Sequence, residues 1–437
     1  MKKFFTTLKN IWSIVELRDK ILTTLGFLVI YRLGSFIVLP GIDPEKLQGS
    51  VGGFFGILDT FLGGAFSNAS IFALGIMPYI SASIVIQLLT VAMPYFQKMQ
   101  KEGESGRKKI NQITRVLTII ICLSQSVAYI KGTIASEAIV INETVFLFLS
   151  MIILTSGTIF CMWLGERITD KGIGNGISML IMIGIISRFP AQLIAEAASK
   201  QLSGALLFIL ELVALFFVIM AVVALTQAVR KIPVQYAKQI VGNKVYGGQR
   251  QYIPLKVNSA GVMPIIFAQA LMFIPGMLGN YFADKNEVLA SIGYSFADFT
   301  SIEYNILLAT LIIVFTFFYT AITINPTQIA DDMKRNGGFV PGIKPGKQTS
   351  EFVDSILTRI TLPGSIFLAL VAILPAFAVI AGVTQGFATF YGGTSLLIMV
   401  GVILDTLQQI ESYLLMRHYE GMMKSGKIKG RSQVAVA

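Results

Sequence analysis

The sequence predicts an all-α integral membrane protein of ten transmembrane helices in two inverted five-helix halves, with a short re-entrant helix after the first span. Three observations carry this. Of 437 residues, 54% are hydrophobic and 14% charged, with mean hydropathy +0.71, too few charges to cover a soluble surface of this size. Apolar runs of spanning length recur ten times along the chain. Basic residues are dense in alternate inter-helix segments, and 29 of the 35 fall on one side.

Residues 1–20 are amphipathic and charged, read as an interfacial helix, and carry no small-residue cleavage site of a signal peptide. The N-terminal half, 21–200, holds apolar runs near 21–39, 70–93, 113–131, 144–165 and 174–195. The C-terminal half, 201–416, holds runs near 203–227, 260–280, 304–324, 361–383 and 394–416, and 417–437 is a tail. Ten spans place both termini on one side, and the positive charge makes that side cytoplasmic. Five spans per half is an odd number, so the second half starts from the opposite face, and the working path of such inverted repeats lies between them near the midplane.

The re-entrant element follows from length. Phe54, Phe55, Ile57, Leu58, Phe61, Leu62 and Phe66 are apolar, but Gly63 and Gly64 interrupt them. About nine helical residues reach roughly 13 Å, less than half of a ~30 Å hydrocarbon core. Ser67–Ser70 then offers N-cap side chains for the next span. Irregular backbone at membrane depth survives only where protein buries it or where it lines a watery cavity. The chain is therefore expected to surround a cavity, with this element on its external side.

Several chemistries lack their residues. His418, in the tail, is the sole histidine, so no Ser/His/Asp, Cys/His or His-metal set can form inside the membrane. GIGNG, Gly172–Gly176, mimics a phosphate-cradling loop but follows a hydrophobic helix and lacks the Lys and Ser/Thr, so a tight turn is expected. Cys122 and Cys161 lie in spans as packing thiols. Arg32, Glu211 and Asp405 are isolated charges expected to be structural, whereas an ion-coupled permease would carry a midplane acid with partners. No catalytic residue, cofactor or metal is expected.

Isoleucines and amides recur in place of charges. Ile80 and Ile84, and Ile181 and Ile185, are spaced i,i+4, with Ile266 and Ile398 on later spans. Spacing alone assigns all six to lipid-facing or core packing. Gln87, Thr90, Gln125 and Asn258 are polar positions in or beside spans, where plain inter-helix hydrogen bonds of about 0.6 kcal/mol are an adequate account.

Two basic loops, 228–259 and 325–360, are longer than neighbouring helices need. The first carries Arg230, Lys231, Lys238, Lys244, Arg250 and Lys256, and its runs Ile232–Tyr236 and Gln251–Leu255 predict a hairpin. The second carries Lys334, Arg335, Lys344 and Lys347 on a short amphipathic helix and a Pro/Gly turn. Orientation and contact with anionic lipids would use the charge, while the length favours a docking surface.

At SIFALGIMPYISASIVIQLL, GERITDKGIGNGIS, PLKVNSAGVMPIIFA, FVPGIKPGKQT and YGGTSLLIMVGVILD the sequence resembles the SecY family, the channel subunits of bacterial Sec translocons, in order over essentially its whole length. The resemblance implies a clamshell of two five-helix halves, hinged on one side and opening laterally on the other. It implies a pore ring of Ile80, Ile84, Ile181, Ile185, Ile266 and Ile398, a plug at about 54–66 with Gly63 and Gly64 as slack, and a lateral gate around Gln87, Thr90, Gln125 and Asn258. The basic loops become docking sites for the SecA ATPase and the ribosome. Implied partners are SecE and SecG, signal peptides and nascent membrane proteins, anionic lipids, SecDF and a YidC-type insertase, all at the bacterial cytoplasmic membrane. The chain would be a passive channel, driven by SecA, the ribosome or the membrane potential. Lys344 stands where the family commonly has arginine, which keeps the charge and loses the bidentate fork.

Overall fold

The computed structural model describes residues 12–43, 46, 59, 62–134, 136–200, 204–236, 239–241, 244–246, 250–269, 271–272, 295–296 and 298–424. The first half comprises α1 (Val15–Gly34), α2 (Met77–Ala92), α3 (Pro94–Lys101), α4 (Glu104–Thr133), α5 (Glu143–Lys171) and α6 (Gly176–Lys200). There follow α7 (Ala205–Gln227), β1 (Val229–Tyr236), β2 (Gln239–Val241), β3 (Lys244–Tyr246) and β4 (Arg250–Lys256). The rest is a helical run at 263–269, then α8 (Ile302–Thr323), α9 (Pro326–Arg335), β5 (Gly338–Phe339), α10 (Lys347–Ile380), α11 (Gln385–Ala388) and α12 (Gly393–Lys424).

Local chemistry sets several of these boundaries. Asn142 caps α5 by accepting the Thr144 amide at 3.1 Å, and Asn325 caps α9 through the Thr327 and Gln328 amides, with Pro326 at the first helical position. Pro94 lacks an N–H and forces Met93 into extended backbone (φ −112°, ψ 123°), so α2 stops and α3 leaves it at 97°. The span expected at 70–93 becomes helical only at Met77. Ser70 caps no helix: its Oγ accepts the Phe72 amide at 3.3 Å and its backbone forms an antiparallel bridge with Val38, flanked by Leu39 N–H to Ala69 O at 2.9 Å and Ile71 N–H to Ile37 O at 2.9 Å.

Among the described residues, seven helical stretches are long and apolar enough to cross a membrane: α4, α5, α6, α7, Ile302–Arg335, α10 and Gly393–Met416 of α12. The bent pair α2 and α3 makes an eighth if counted as one span. Of the other expected spans, α1 carries Glu16, Arg18, Asp19, Lys20 and Arg32, and the run near 260–280 lies largely outside the described residues. On α7, Leu206 is 84% and Leu210 69% exposed, with Ile209, Phe216 and Phe217 also turned outward. A helix that apolar on its outer surface has hydrocarbon as its solvent.

The chain packs as two compact units. The first is built on the N-terminal residues, Leu58–Arg188 and Val402–Ala437, and the second on Phe189–Gly401. In the first, α2 packs along α4, α4 along α5, and α5 against α1. Small polar residues line these seams: Ser126, Ser150 and Thr158 are buried, and the Cys122 thiol lies 3.4 Å from Thr158 Oγ1 as a packing group.

In the second unit α8 packs along α10, and the two basic loops fold together. The expected hairpin forms, β1 antiparallel to β4 with Ile232 opposite Ile253, and β5 from the second loop pairs with the free edge of β1, Gln235 opposite Phe339. Ile232 and Val234 alternate inward and meet Leu255, Met333, Val340, Val353 and Leu357 in a small core of their own. At 34 residues α10 is about 51 Å long, more than a hydrocarbon core requires, and its first turns supply Val353 and Leu357 to that core.

Candidate functional site

The stretch joining α1 to α2 is where irregular backbone meets the helices. Phe54, Phe55, Ile57, Leu58 and Phe61 of the expected plug lie outside the described residues. Leu62, Gly63, Gly64 and Phe66 are described, and from Gly63 to Ala69 the chain runs through successive turns. Leu62, Ala65, Phe66 and Ala69 are buried. Phe72, further on, stacks between Tyr31 of α1 (5.9 Å between centroids) and Phe160 of α5 (5.8 Å).

Polar groups from three helices hold this stretch. From α1, Arg32 Nη1 donates to Gly63 O at 3.1 Å. From α4, Tyr129 Oη donates to Phe66 O at 2.7 Å while its ring meets that of Phe66 edge-on at 4.6 Å. From α6, Arg188 Nη2 donates both to Asp59 Oδ2 and, at 3.0 Å, to Ser67 Oγ. The other Asp59 oxygen, Oδ1, accepts the Ser67 amide at 2.9 Å, so one carboxylate closes the turn and receives the guanidinium.

Gly63 and Gly64 are closely packed where they sit. Gly63 (φ +63°) and Gly64 (φ +91°) are left-handed, and a Cβ on Gly63 would sit 2.6 Å from Arg32 Nη1 and 2.8 Å from Gly184 O, one on Gly64 2.8 Å from Arg188 Nη2. They are hydrogen because the arginines and α6 press against them. Asp59, Tyr129 and Arg188 are not among the site residues expected from the sequence. The available signal was one acid and one base of opposite sign, each alone in an apolar run.

GIGNG is the tight turn between α5 and α6, and its amides are taken by side chains. Ile173 N–H donates to Thr24 Oγ1 at 3.0 Å, Gly174 N–H to Gln409 Oε1 at 2.9 Å and Gly176 N–H to Thr169 Oγ1 at 2.9 Å. The turn ties α6 to α1, α5 and α12 within the first unit. It fixes the register of Ile181 and Ile185 on α6.

Ile80 and Ile84 lie on α2, Ile84 buried and Ile80 half-buried, and Ile185 is fully buried while Ile181 is half-buried. These four belong to the first unit; Ile266, at 263–269, and Ile398, on α12, belong to the second. Of the expected gate residues, Gln87 and Thr90 are one turn apart on α2, Thr90 Oγ1 donating to Gln87 O at 2.6 Å, and Gln125 is half-buried on α4. In the second unit the Asn258 side-chain oxygen is buried with no hydrogen-bond partner among the described residues.

The loop platform presents Arg230, Lys231, Lys256, Lys334, Arg335, Lys344 and Lys347 as exposed side chains. Lys244 and Arg250 sit on β3 and β4, and Lys238 lies outside the described residues. Glu211, singled out as a charge in a span, is buried, with Lys200 Nζ 2.8 Å from its Oε1 and 3.4 Å from Glu196 Oε1. Glu196 Oε2 accepts the Thr384 amide at 2.9 Å, and Lys200 donates to Gly382 O at 2.6 Å. This acid is spent on a structural ion pair joining α6, α7 and the approach to α11.

Fold and site together define a multi-pass helical membrane protein with a non-helical segment pinned by arginines among its apolar helices. The chain belongs to the SecY family, whose model matches residues 70–407. It is 44% identical over 427 residues to the protein translocase subunit SecY of Streptomyces scabiei, covering 94% of this chain and 97% of the relative. It is 44% identical over 437 residues to that of Halalkalibacterium halodurans (96% and 100% covered) and 41% over 440 residues to that of Mycobacterium tuberculosis (94% and 98%). Among solved structures it resembles a protein-conducting channel with a TM-score of 0.61 at 18% identity, covering 90% of this chain and 92% of that one. It also resembles Sec61 in the canine ribosome–channel complex, TM-score 0.59 at 17% identity, with 90% and 92% covered.

Proposed function

We propose that this chain is the central subunit of a protein-conducting channel that passes unfolded polypeptides across the bacterial cytoplasmic membrane and releases hydrophobic segments sideways into lipid. The observation that carries the reading is the segment after α1, buried by protein and anchored by Arg32, Tyr129 and Arg188, in a chain of the SecY family. Ten spans form two inverted halves, 21–200 and 201–416, with both termini cytoplasmic. Ile80, Ile84, Ile181, Ile185, Ile266 and Ile398 make an apolar constriction that gates by dewetting and deforms around a passing chain. The segment around 54–66 plugs it from outside, and Gln87, Thr90, Gln125 and Asn258 hold the lateral gate.

A central leucine in a passing segment gains about 0.3–0.6 kcal/mol in lipid while a charge costs about 2.5–3.5, so one charge offsets several leucines. Long apolar segments therefore leave sideways and polar ones continue through. The energy comes from outside the chain: SecA, a translating ribosome or the membrane potential. SecA and the ribosome bind the platform built from the loops 228–259 and 325–360, whose exposed lysines and arginines suit acidic and phosphate surfaces. SecE and SecG complete the complex, and SecDF and a YidC-type insertase act beside it.

Photo-crosslinking tests this path. With a secretory chain stalled by a folded C-terminal domain, a photoreactive residue at Ile84 or Ile185 should crosslink to the stalled chain, and one at Val85, 40% exposed on α2, should not. Crosslinks from Val85 equal to those from Ile84 would refute the constriction.

A further inference from the structure

We propose that Arg188 is a positioning residue that couples the isoleucine constriction to the plug, so that α6 moves both together; this rests on the ring and plug readings above. Ile181, Ile185 and Arg188 are spaced by four and then three residues and so share one face of α6, about 10 Å from end to end. The last of them seats the plug segment. A single nitrogen, Nη2, holds Asp59 Oδ2 and Ser67 Oγ, groups eight residues apart, and thus clasps the whole turn to α6.

The seat is close as well as charged. Gly63 lies against Gly184 and Ser187, where a Cβ would come within 2.8 Å of Gly184 O and 2.6 Å of Ser187 Oγ, and Gly64 lies against Arg188 itself. The segment therefore rides on the 184–188 turn of the helix that carries two of the six ring isoleucines. The other anchors, Arg32 and Tyr129, come from α1 and α4, which carry none. Asp59 is buried, so a rotation or shift of α6 that withdraws Arg188 strands a carboxylate away from water, and the turn must leave with it. The apolar ring sets the seal; the ion pair makes plug release depend on it.

The test uses the full chain with its partner subunits, in proteoliposomes, in a Cys122→Ala, Cys161→Ala background. Ala65→Cys places a thiol at a position buried in the plug segment, and labelling by a membrane-impermeant maleimide reports release. Arg188→Gln and Asp59→Asn should each raise the labelling rate about tenfold, the factor for one lost charge-assisted hydrogen bond, and the double variant should exceed neither. Arg188→Lys should stay close to the parent, because one nitrogen makes both contacts. Ile185→Asn, which leaves the ion pair in place, should raise labelling as well, and this arm stands even if the charge variants fail to accumulate. Unchanged labelling in Ile185→Asn, or in both charge variants, overturns the coupling. Deleting 62–68 separates the readings: ion leak from the deletion with tight charge variants sinks the coupling alone, whereas a deletion that does not leak sinks the plug.

Discussion

Replacing Gly176 by leucine is expected to abolish accumulation of the folded chain. A Cβ there would lie 1.9 Å from Gly165 O and 2.8 Å from the Ile168 side chain. The obstructing atom is a backbone carbonyl in the last two turns of α5, which cannot rotate away as a side chain could. Nor can the turn give, since Thr24, Gln409 and Thr169 hold its amides from three directions. Relief requires α6 to slide, taking Ile181, Ile185 and Arg188 out of register. The loss should reach at least about 3 kcal/mol, the upper end of ordinary overpacking. Even Gly176→Ala should lower the detergent-solubilised melting temperature. Gly132→Ala on α4, where a Cβ meets nothing within 4 Å, is the matched control and should be neutral or slightly stabilising. Equal melting of the two alanine variants would show that α5 and α6 do not approach as described.

Ile80→Asn combined with Ile398→Asn should open the resting channel to ions. Branched apolar side chains offer water no hydrogen-bond partner, so a narrow ring of them empties; two amides in the proposed ring provide partners and let a water column persist. Resting conductance in planar bilayers should rise about tenfold or more, the effect of roughly 1.4 kcal/mol on the closed state. Export of preproteins with weakened signals should rise with it. The same substitutions at Leu206 and Leu210, which face outward on α7, should leave conductance unchanged. A ring pair that leaks no more than the α7 pair would remove these isoleucines from the gate.

Much of this architecture was legible because its signals are local. The hairpin of β1 and β4 could be read from two alternating runs around a Gly-rich turn, and the turn at Gly172–Gly176 from its glycines following an apolar helix. The joining of the two basic loops into one sheet was not legible. β5 has two residues, too few for any periodicity, and pairs across about a hundred residues of sequence. The start of α2 differs from the sequence expectation because Ser67–Ser70 looks like a cap, while Pro78 in the first turn of the helix and the bridge of Ser70 to Val38 decide the outcome. Gly63 and Gly64 carry no local sign of close packing; only the arginines, 31 and more residues away, reveal the contact. Asp59 and Arg188, separated by 129 residues, had no local sign of partnership.

The proposed function requires that this chain conduct polypeptides. The most direct measurement is to reconstitute it in proteoliposomes with the SecE- and SecG-type subunits proposed above, add a SecA-type ATPase, ATP and a radiolabelled preprotein, and follow protease protection. Protected preprotein is expected, dependent on ATP, on a functional signal and on the exposed platform residues Arg230, Lys231, Lys334 and Arg335, with no uptake of small solutes coupled to an ion gradient. Protection that never exceeds that of vesicles lacking the chain, or ion-coupled solute uptake in its place, would contradict it.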